Sequence, residues 1–230
     1  LLLACAAPLL ALWRRALAAG PQAWAVWIEP ETWGALANTL RFSGMALLLA
    51  TALGLAHGLS ARRCLPWRAA AYLPLVVSPV TVAFGLLLLY PEWMASLFVL
   101  VTAYALLAYP FIAQALGTAL DGQPAHWRQA ARSLGATPWR VLWRVSLPLA
   151  APALRRGMAF AAATMLGEFA VSLFLPRPEW TTLSTLIYQR LGRPGAANLD
   201  AALALACGLM ALALLAFMLI EGRDDTDQEA

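Results

Sequence analysis

The chain has 230 residues, of which 62% are hydrophobic and only 12% charged; soluble domains run at roughly 45–50% apolar and about 25% charged. That balance excludes an ordinary soluble globular domain and points to a membrane protein. The net charge of +4 comes from arginine alone, since the chain has no lysine; this excludes a P-loop ATPase, whose lysine reaches the nucleotide phosphates.

The apolar residues fall in blocks of about 20, the length a helix needs to cross a bilayer core of about 30 Å. The first block runs from Leu1 to about Leu12 and reads as the remainder of a truncated span, because the chain opens on Leu1 rather than Met. A loop of some 20 residues follows, interleaved with Trp24, Trp27 and Trp33, so part of it is expected at the headgroup level. The second block, Thr32 to Leu59, ends at Arg62-Arg63. The third, Pro66 to Tyr90, carries Pro74 and Pro79, which should kink or unwind it. Pro91-Glu92-Trp93 predicts a tight turn before the fourth block, Trp93 to Leu120.

A polar segment, Asp121 to Ala150, comes next. The fifth block covers Pro152 to Leu175 and the sixth Asp200 to Ile220. Between them lies a loop with a short helix expected over Leu183 to Leu191. An acidic tail, Glu221 to Ala230, closes the chain. Placing Arg62-Arg63 in the cytoplasm puts ten of the 16 arginines inside and six outside, which favours that orientation. It puts the Asp121–Ala150 segment and both termini in the cytoplasm. The arginines flank apolar blocks instead of lining one polar face, so no nucleic-acid partner is indicated. Cys5, Cys64 and Cys207 are too far apart for a metal or disulfide framework and read as apolar packing residues. His57 reads as a span-end residue and His126 as solvent-facing.

The polar segment has helix punctuation of its own. Pro124 suits a first turn, and Gly135 suits the C′ position that ends a helix. Thr137-Pro138 restarts a second helix as N-cap and first turn, and Pro148 is expected to stop it. Two short helices joined by a glycine bend make an elbow whose small residues (Ala130, Ala131, Gly135) admit a close approach and whose bulky ones (Leu134, Trp139) fill pockets. The other reading is an amphipathic pair lying on the inner leaflet.

Gln129-Ala130-Ala131, three residues, Gly135, nine residues, Val145, one residue, Leu147-Pro148 resembles the EAA loop of ABC importer permeases, Glu-Ala-Ala-x3-Gly-x9-Ile-x-Leu-Pro. The spacings match, as does the position between spans four and five. The resemblance implies that the elbow docks on an ATP-hydrolysing subunit. Ala130, Ala131 and Gly135 would make the close contact, and Leu147 and Pro148 would set the entry into the fifth span. Gln129 stands where the motif has glutamate, keeping the hydrogen-bonding reach without the charge.

Gly167-Glu168-Phe169-Ala170 in the fifth block resembles the Gly-Glu-Phe-(Gly/Ala) stretch of permeases for iron, thiamine, molybdate and sulfate. A glutamate inside a span costs roughly 2.5–3.5 kcal/mol on insertion scales and should face a wet cavity or a bundle interior. It is either a pathway residue or a packing hydrogen bond. Ser78 and Thr81, beside the third block's prolines, line the pathway or mark a simple kink. The stretch from Arg177 through Tyr188 to Pro194 resembles iron- or thiamine-type permeases, which implies ferric iron or thiamine as solute and an external binding protein.

The expectation is an all-α, polytopic membrane bundle of about six helices, one transmembrane domain over residues 1–230. It is a transport subunit in the cell membrane with no cofactor and no covalent chemistry. Its implied partners are an ATPase chain, a second permease copy or half, and a solute-binding protein outside the cell. A secondary transporter and an intramembrane enzyme are the competing classes. The first would carry more ionisable residues in its spans; the second would need a Gly-x-Ser-Gly stretch with a partner histidine, which Phe42-Ser43-Gly44 does not supply, or His-Glu-x-x-His, which is absent.

Overall fold

A computed structural model describes residues 2–60, 65–93, 96–174 and 177–222, and all regular structure among them is helical. Helix α1 (Leu2–Ala18), short α2 (Pro21–Trp24) and a 3-10 turn (Ala25–Ile28) lead into α3 (Pro30–Ser60). A broken stretch follows, made of α4 (Leu65–Ala70), α5 (Leu73–Val76) and α6 (Pro79–Leu89). Helix α7 (Leu97–Asp121) leads to α8 (Ala125–Ser133) and α9 (Pro138–Val141). Then come α10 (Leu147–Leu166), α11 (Ala170–Phe174), α12 (Leu183–Gly192) and α13 (Ala196–Glu221).

Among the described residues, four helical stretches are long and apolar enough to cross a membrane: Pro30–Ser60, Leu97–Asp121, Pro138–Phe174 (which includes the break between α10 and α11) and Ala196–Glu221. The stretch 66–89 makes a fifth if its two limbs count as one span; they meet at 95° across Val77-Ser78. The bend falls where Pro79 biases the residue before it away from helix, as the prolines led us to expect. Helix α1 has 17 residues, about 25 Å at 1.5 Å per residue, which falls short of a hydrocarbon core of about 30 Å.

Little hydrophobic driving force acts between helices in lipid, so packing rests on close approach of small residues. Helices α3, α7 and α10 meet this way. A Cβ on Gly54 would lie 2.7 Å from the Ile112 Cβ, and one on Gly157 would lie 2.9 Å from the Ala115 Cβ. Gly54 and Gly58 stand four apart on the α3 face that meets α7. Above this seam, Phe42, Ala46, Leu100, Ala103, Tyr104 and Ala161 join one buried cluster.

Two elements depart from the sequence reading. First, α1 continues to Ala18, and the residues after it form short helical turns that pack on α13. The Trp27 ring fills a notch at Gly208, and its Nε1 donates to the Ala204 carbonyl at 3.4 Å. Second, Pro148 does not stop the second elbow helix, and the fifth span does not wait for Pro152. A π-helical stretch, Leu142–Ser146, joins α9 to α10 without a break. The wider π turn accommodates a residue that has no N–H and whose ring crowds the preceding carbonyl. Glu29 and Glu31 tie the start of α3 to α12. Both pair with Arg190 of α12, Glu31 at 3.2 Å.

Arg62-Arg63, Cys64, Leu1, the Cys5 side chain and the acidic residues after Gly222 lie outside the described residues. Cys207 is buried. His57 does stand near a span end, where its ring stacks on Trp67 at 5.2 Å.

Candidate functional site

The elbow spans the turn between α7 and α10. Helix α8 ends in a Schellman motif: the Gly135 N–H donates to the Arg132 carbonyl at 2.9 Å, and the Ala136 N–H to the Ala131 carbonyl at 3.1 Å. The motif needs the left-handed conformation at its C′ residue, and Gly135 has φ +83°. On the next helix the Thr137 hydroxyl accepts from the Arg140 N–H at 3.3 Å, capping α9. Both helix ends at the bend are therefore satisfied within the chain. The elbow is also tied at its base, where the Gln123 Nε2 donates to the Ser146 carbonyl at 2.7 Å.

The outer surface of this elbow is bare. Leu134 is 89% exposed and Trp139 67%. Gln129, Ala130 and Gly135 are exposed and Ala131 is half-buried. A Cβ built on Gly135 meets nothing within 4 Å. Leu147 packs with Leu116, Leu120 and Ala150 at the elbow end of the bundle, while Pro148 is exposed. A groove of about 570 Å³ between the end of α3 and the elbow is lined by Arg128, Arg132, Pro138 and Leu142.

Glu168 lies at the break between α10 and α11. Its carboxylate accepts from the Val171 N–H at 3.2 Å, closing the first turn of α11. Its backbone carbonyl accepts from the Tyr104 hydroxyl of α7 at 3.3 Å and from the Ser184 hydroxyl of α12 at 2.9 Å. Tyr104 is also hydrogen-bonded to Ser172. The contacts that reach α7 and α12 therefore run through the Glu168 backbone carbonyl, while the carboxylate caps its own turn, so neither reading of the side chain is decided by them. Tyr104 and Ser184 were missed in the sequence; Tyr104 and Ser172 are 68 positions apart, and no local pattern joins them.

Ser78 and Thr81 are exposed at the bend of the third stretch. No hydrogen bond or ion pair joins either to Glu168 among the described residues. The helix that Thr81 belongs to, α6, does pack on α11, where Phe84 meets Phe174 at 6.3 Å.

The end opposite the elbow is held by α3. The Asn38 Nδ2 donates to the Glu179 and Thr181 carbonyls at 2.8 and 3.0 Å, and the Thr39 hydroxyl accepts from the Leu183 N–H at 2.9 Å. This pins the loop before α12 over a cleft of about 460 Å³ lined by Glu31, Ser172, Arg177, Trp180, Thr185 and Tyr188. The Arg177 guanidinium lies 4.9 Å from the Trp180 ring centroid and bonds Glu179 at 3.2 Å. A hydrogen bond from its own backbone, followed by Arg177, holds the Glu179 carboxyl below the usual carboxylate range.

Known proteins share this architecture. A permease chain of a bacterial alginate ABC transporter, solved with its alginate-bound periplasmic protein, superposes with a TM-score of 0.74 at 20% identity, covering 97% of this chain and 89% of that one. An inward-facing MetNI methionine ABC transporter gives 0.67 at 18% identity, covering 84% and 98%. In sequence, the molybdenum transport system permease protein ModB of Escherichia coli K12 is 30% identical over 217 residues, 84% of this chain and 93% of that protein. The Salmonella typhimurium protein PhnV, named for a 2-aminoethylphosphonate transport system, is 29% identical over 84% of this chain and 76% of its own length. The thiamine transport system permease protein ThiP of Haemophilus influenzae is 29% identical over 80% of this chain, but only 37% of ThiP is covered. Residues 46–221 match the family model for the inner membrane component of binding-protein-dependent transport systems. A match over most of the chain, with ModB at 30% identity, settles the family: the chain is a multi-pass inner-membrane permease component of a binding-protein-dependent ABC importer.

Proposed function

We propose that residues 121–150 are the ATPase-docking elbow of this importer subunit and that the elbow end of the bundle faces the cytoplasm. The observation that carries the reading is a rigid, self-capped bend that leaves Leu134, Trp139 and the small residues around Gly135 uncovered. A helix pair resting on lipid has no need of open space at Gly135, whereas a partner that seats on the bend does. Gln129, Ala130, Ala131 and Gly135 form the contact surface, and Leu147 and Pro148 join it to the fifth span. With Gln129 in place of an acid, docking rests on shape and packing more than on charge. ATP hydrolysis belongs to the partner chain. A second permease copy or half covers the exposed bent stretch around Ser78 and Thr81, and together with Glu168 these residues border the solute path.

For the solute, a small oxyanion such as molybdate is supported by the near-full-length match to ModB and by the phosphonate in the name of PhnV. The sequence reading of ferric iron or thiamine keeps support from ThiP for thiamine, and for iron from the loop between Arg177 and Pro194 alone.

The test is reconstitution of the chain with its ATPase and binding protein in liposomes. Gly135→Glu is expected to abolish binding-protein-stimulated ATP hydrolysis while leaving insertion intact; wild-type stimulation would defeat the docking role. Uptake of molybdate, but not of thiamine or ferric ion, is expected in the same liposomes.

A further inference from the structure

At its foot, the elbow contacts helix α4 of the bent stretch. Helix α4, the inner limb of the bent stretch, has little packing of its own: Pro66, Trp67, Arg68 and Ala69 are all exposed. Two of its described side chains anchor it. The Arg68 guanidinium bonds the Asp121 carboxylate at 2.8 Å, the length of a charge-assisted pair. The Trp67 ring stacks on His57 at 5.2 Å with 15° between planes, and its Nε1 donates to the Ser60 hydroxyl at 3.1 Å. His57 and Ser60 belong to the last turn of α3.

Asp121 is both the last residue of α7 and the first of the elbow segment. Two positions on, Gln123 is bonded to Ser146 at the base of the fifth span. Asp121 therefore sits between two attachments, with the elbow on one side and α4 on the other. Beyond α4 the chain turns through 95° at Val77-Ser78 and enters α6, which carries Thr81 and packs on α11. A displacement of the elbow that moves Asp121 has a direct lever on the limb that ends at Ser78.

We infer that the Arg68–Asp121 pair, seated by the Trp67–His57 stack, is a positioning contact that transmits elbow movement to the bent span bordering the solute path. The inference rests on the elbow reading above. The pair is 47% and 39% exposed, so it contributes little to overall stability. Its effect should therefore appear in the movement of α6 and not in the folding of the subunit.

The experiment uses the reconstituted complex in a background where Cys5, Cys64 and Cys207 are replaced by Ala and Thr81→Cys supplies one thiol. Maleimide labelling of that thiol is followed with and without ATP and vanadate. Arg68→Glu and Asp121→Arg are each expected to shrink the nucleotide-dependent change in labelling rate about three- to fivefold, and Arg68→Glu, which lies outside the elbow, is expected to do so with basal ATPase unchanged. The double swap, Arg68→Asp with Asp121→Arg, is expected to restore it; a merely structural role predicts no such rescue. The inference is overturned if single reversals leave the labelling change intact, or if the swap fails to restore it while the subunit still inserts. Gly135→Glu in the same assay separates the two claims. Loss of the change there with none in the Arg68 variants sinks the tie alone, whereas no loss in Gly135→Glu sinks the elbow reading beneath it.

Discussion

Replacing Gly135 tests what the bend itself requires. Its φ of +83° is left-handed backbone, and a Cβ there would meet nothing within 4 Å. The cost of a side chain in the isolated subunit is therefore conformational, about 1–2 kcal/mol for an ordinary L-residue and less for asparagine, which tolerates this region. That energy falls on the two bonds of the Schellman motif, from Gly135 to Arg132 and from Ala136 to Ala131. A change of 1–2 kcal/mol is a factor of about 5–30 in the opening equilibrium. Amide exchange over residues 131–140 of the detergent-solubilised subunit, measured without any partner, should accelerate by that factor in Gly135→Ala, more in Gly135→Val and least in Gly135→Asn. An order following side-chain size, with asparagine worse than alanine, would refute the claim that backbone conformation governs this position.

Three other perturbations have defined outcomes. Gly208→Ala places a Cβ 1.9 Å from the Trp27 ring; overpacking of this kind costs about 1–3 kcal/mol, and a red-shifted, more quenchable tryptophan emission should report the expelled ring. Tyr104→Phe removes the hydroxyl shared between Ser172 and the Glu168 carbonyl, worth about 1 kcal/mol. It should lower the midpoint of thermal unfolding in detergent, and an unchanged midpoint would mean that the hydroxyl holds nothing. Asn38→Ala releases the Glu179 and Thr181 carbonyls and should speed proteolysis of the loop before α12, with the other loops unaffected.

The parts of the fold that local chemistry writes were readable from the residues. Gly135 ends α8 because only a residue at ease in left-handed backbone fits there, and Thr137-Pro138 starts α9 because a hydroxyl cap and a fixed φ favour it. Pro79 marked the bend at Val77-Ser78 for the same kind of reason. The expected stop at Pro148 failed because a proline's local cost was absorbed by a π turn, and nothing in the spacing of prolines reports that. Three long-range contacts were also out of reach. The notch at Gly208 admits a ring that lies more than 150 positions away in the chain, the Glu168 carbonyl serves two other helices, and Arg68 finds Asp121 across an intervening bent span. At the site itself, the elbow residues were legible because they are contiguous, whereas the polar contacts around Glu168 are assembled from α7, α11 and α12.

The claim that the bare elbow seats the ATPase is tested most directly by crosslinking in the assembled complex. A photoreactive benzoyl-phenylalanine at Leu134, where the native side chain is 89% exposed, is expected to form an adduct with the ATPase subunit. The same group at Trp33, at the opposite end of α3 from the elbow, is expected to form none. An adduct from the Trp33 position, or no adduct from the Leu134 position in an active complex, would contradict the account.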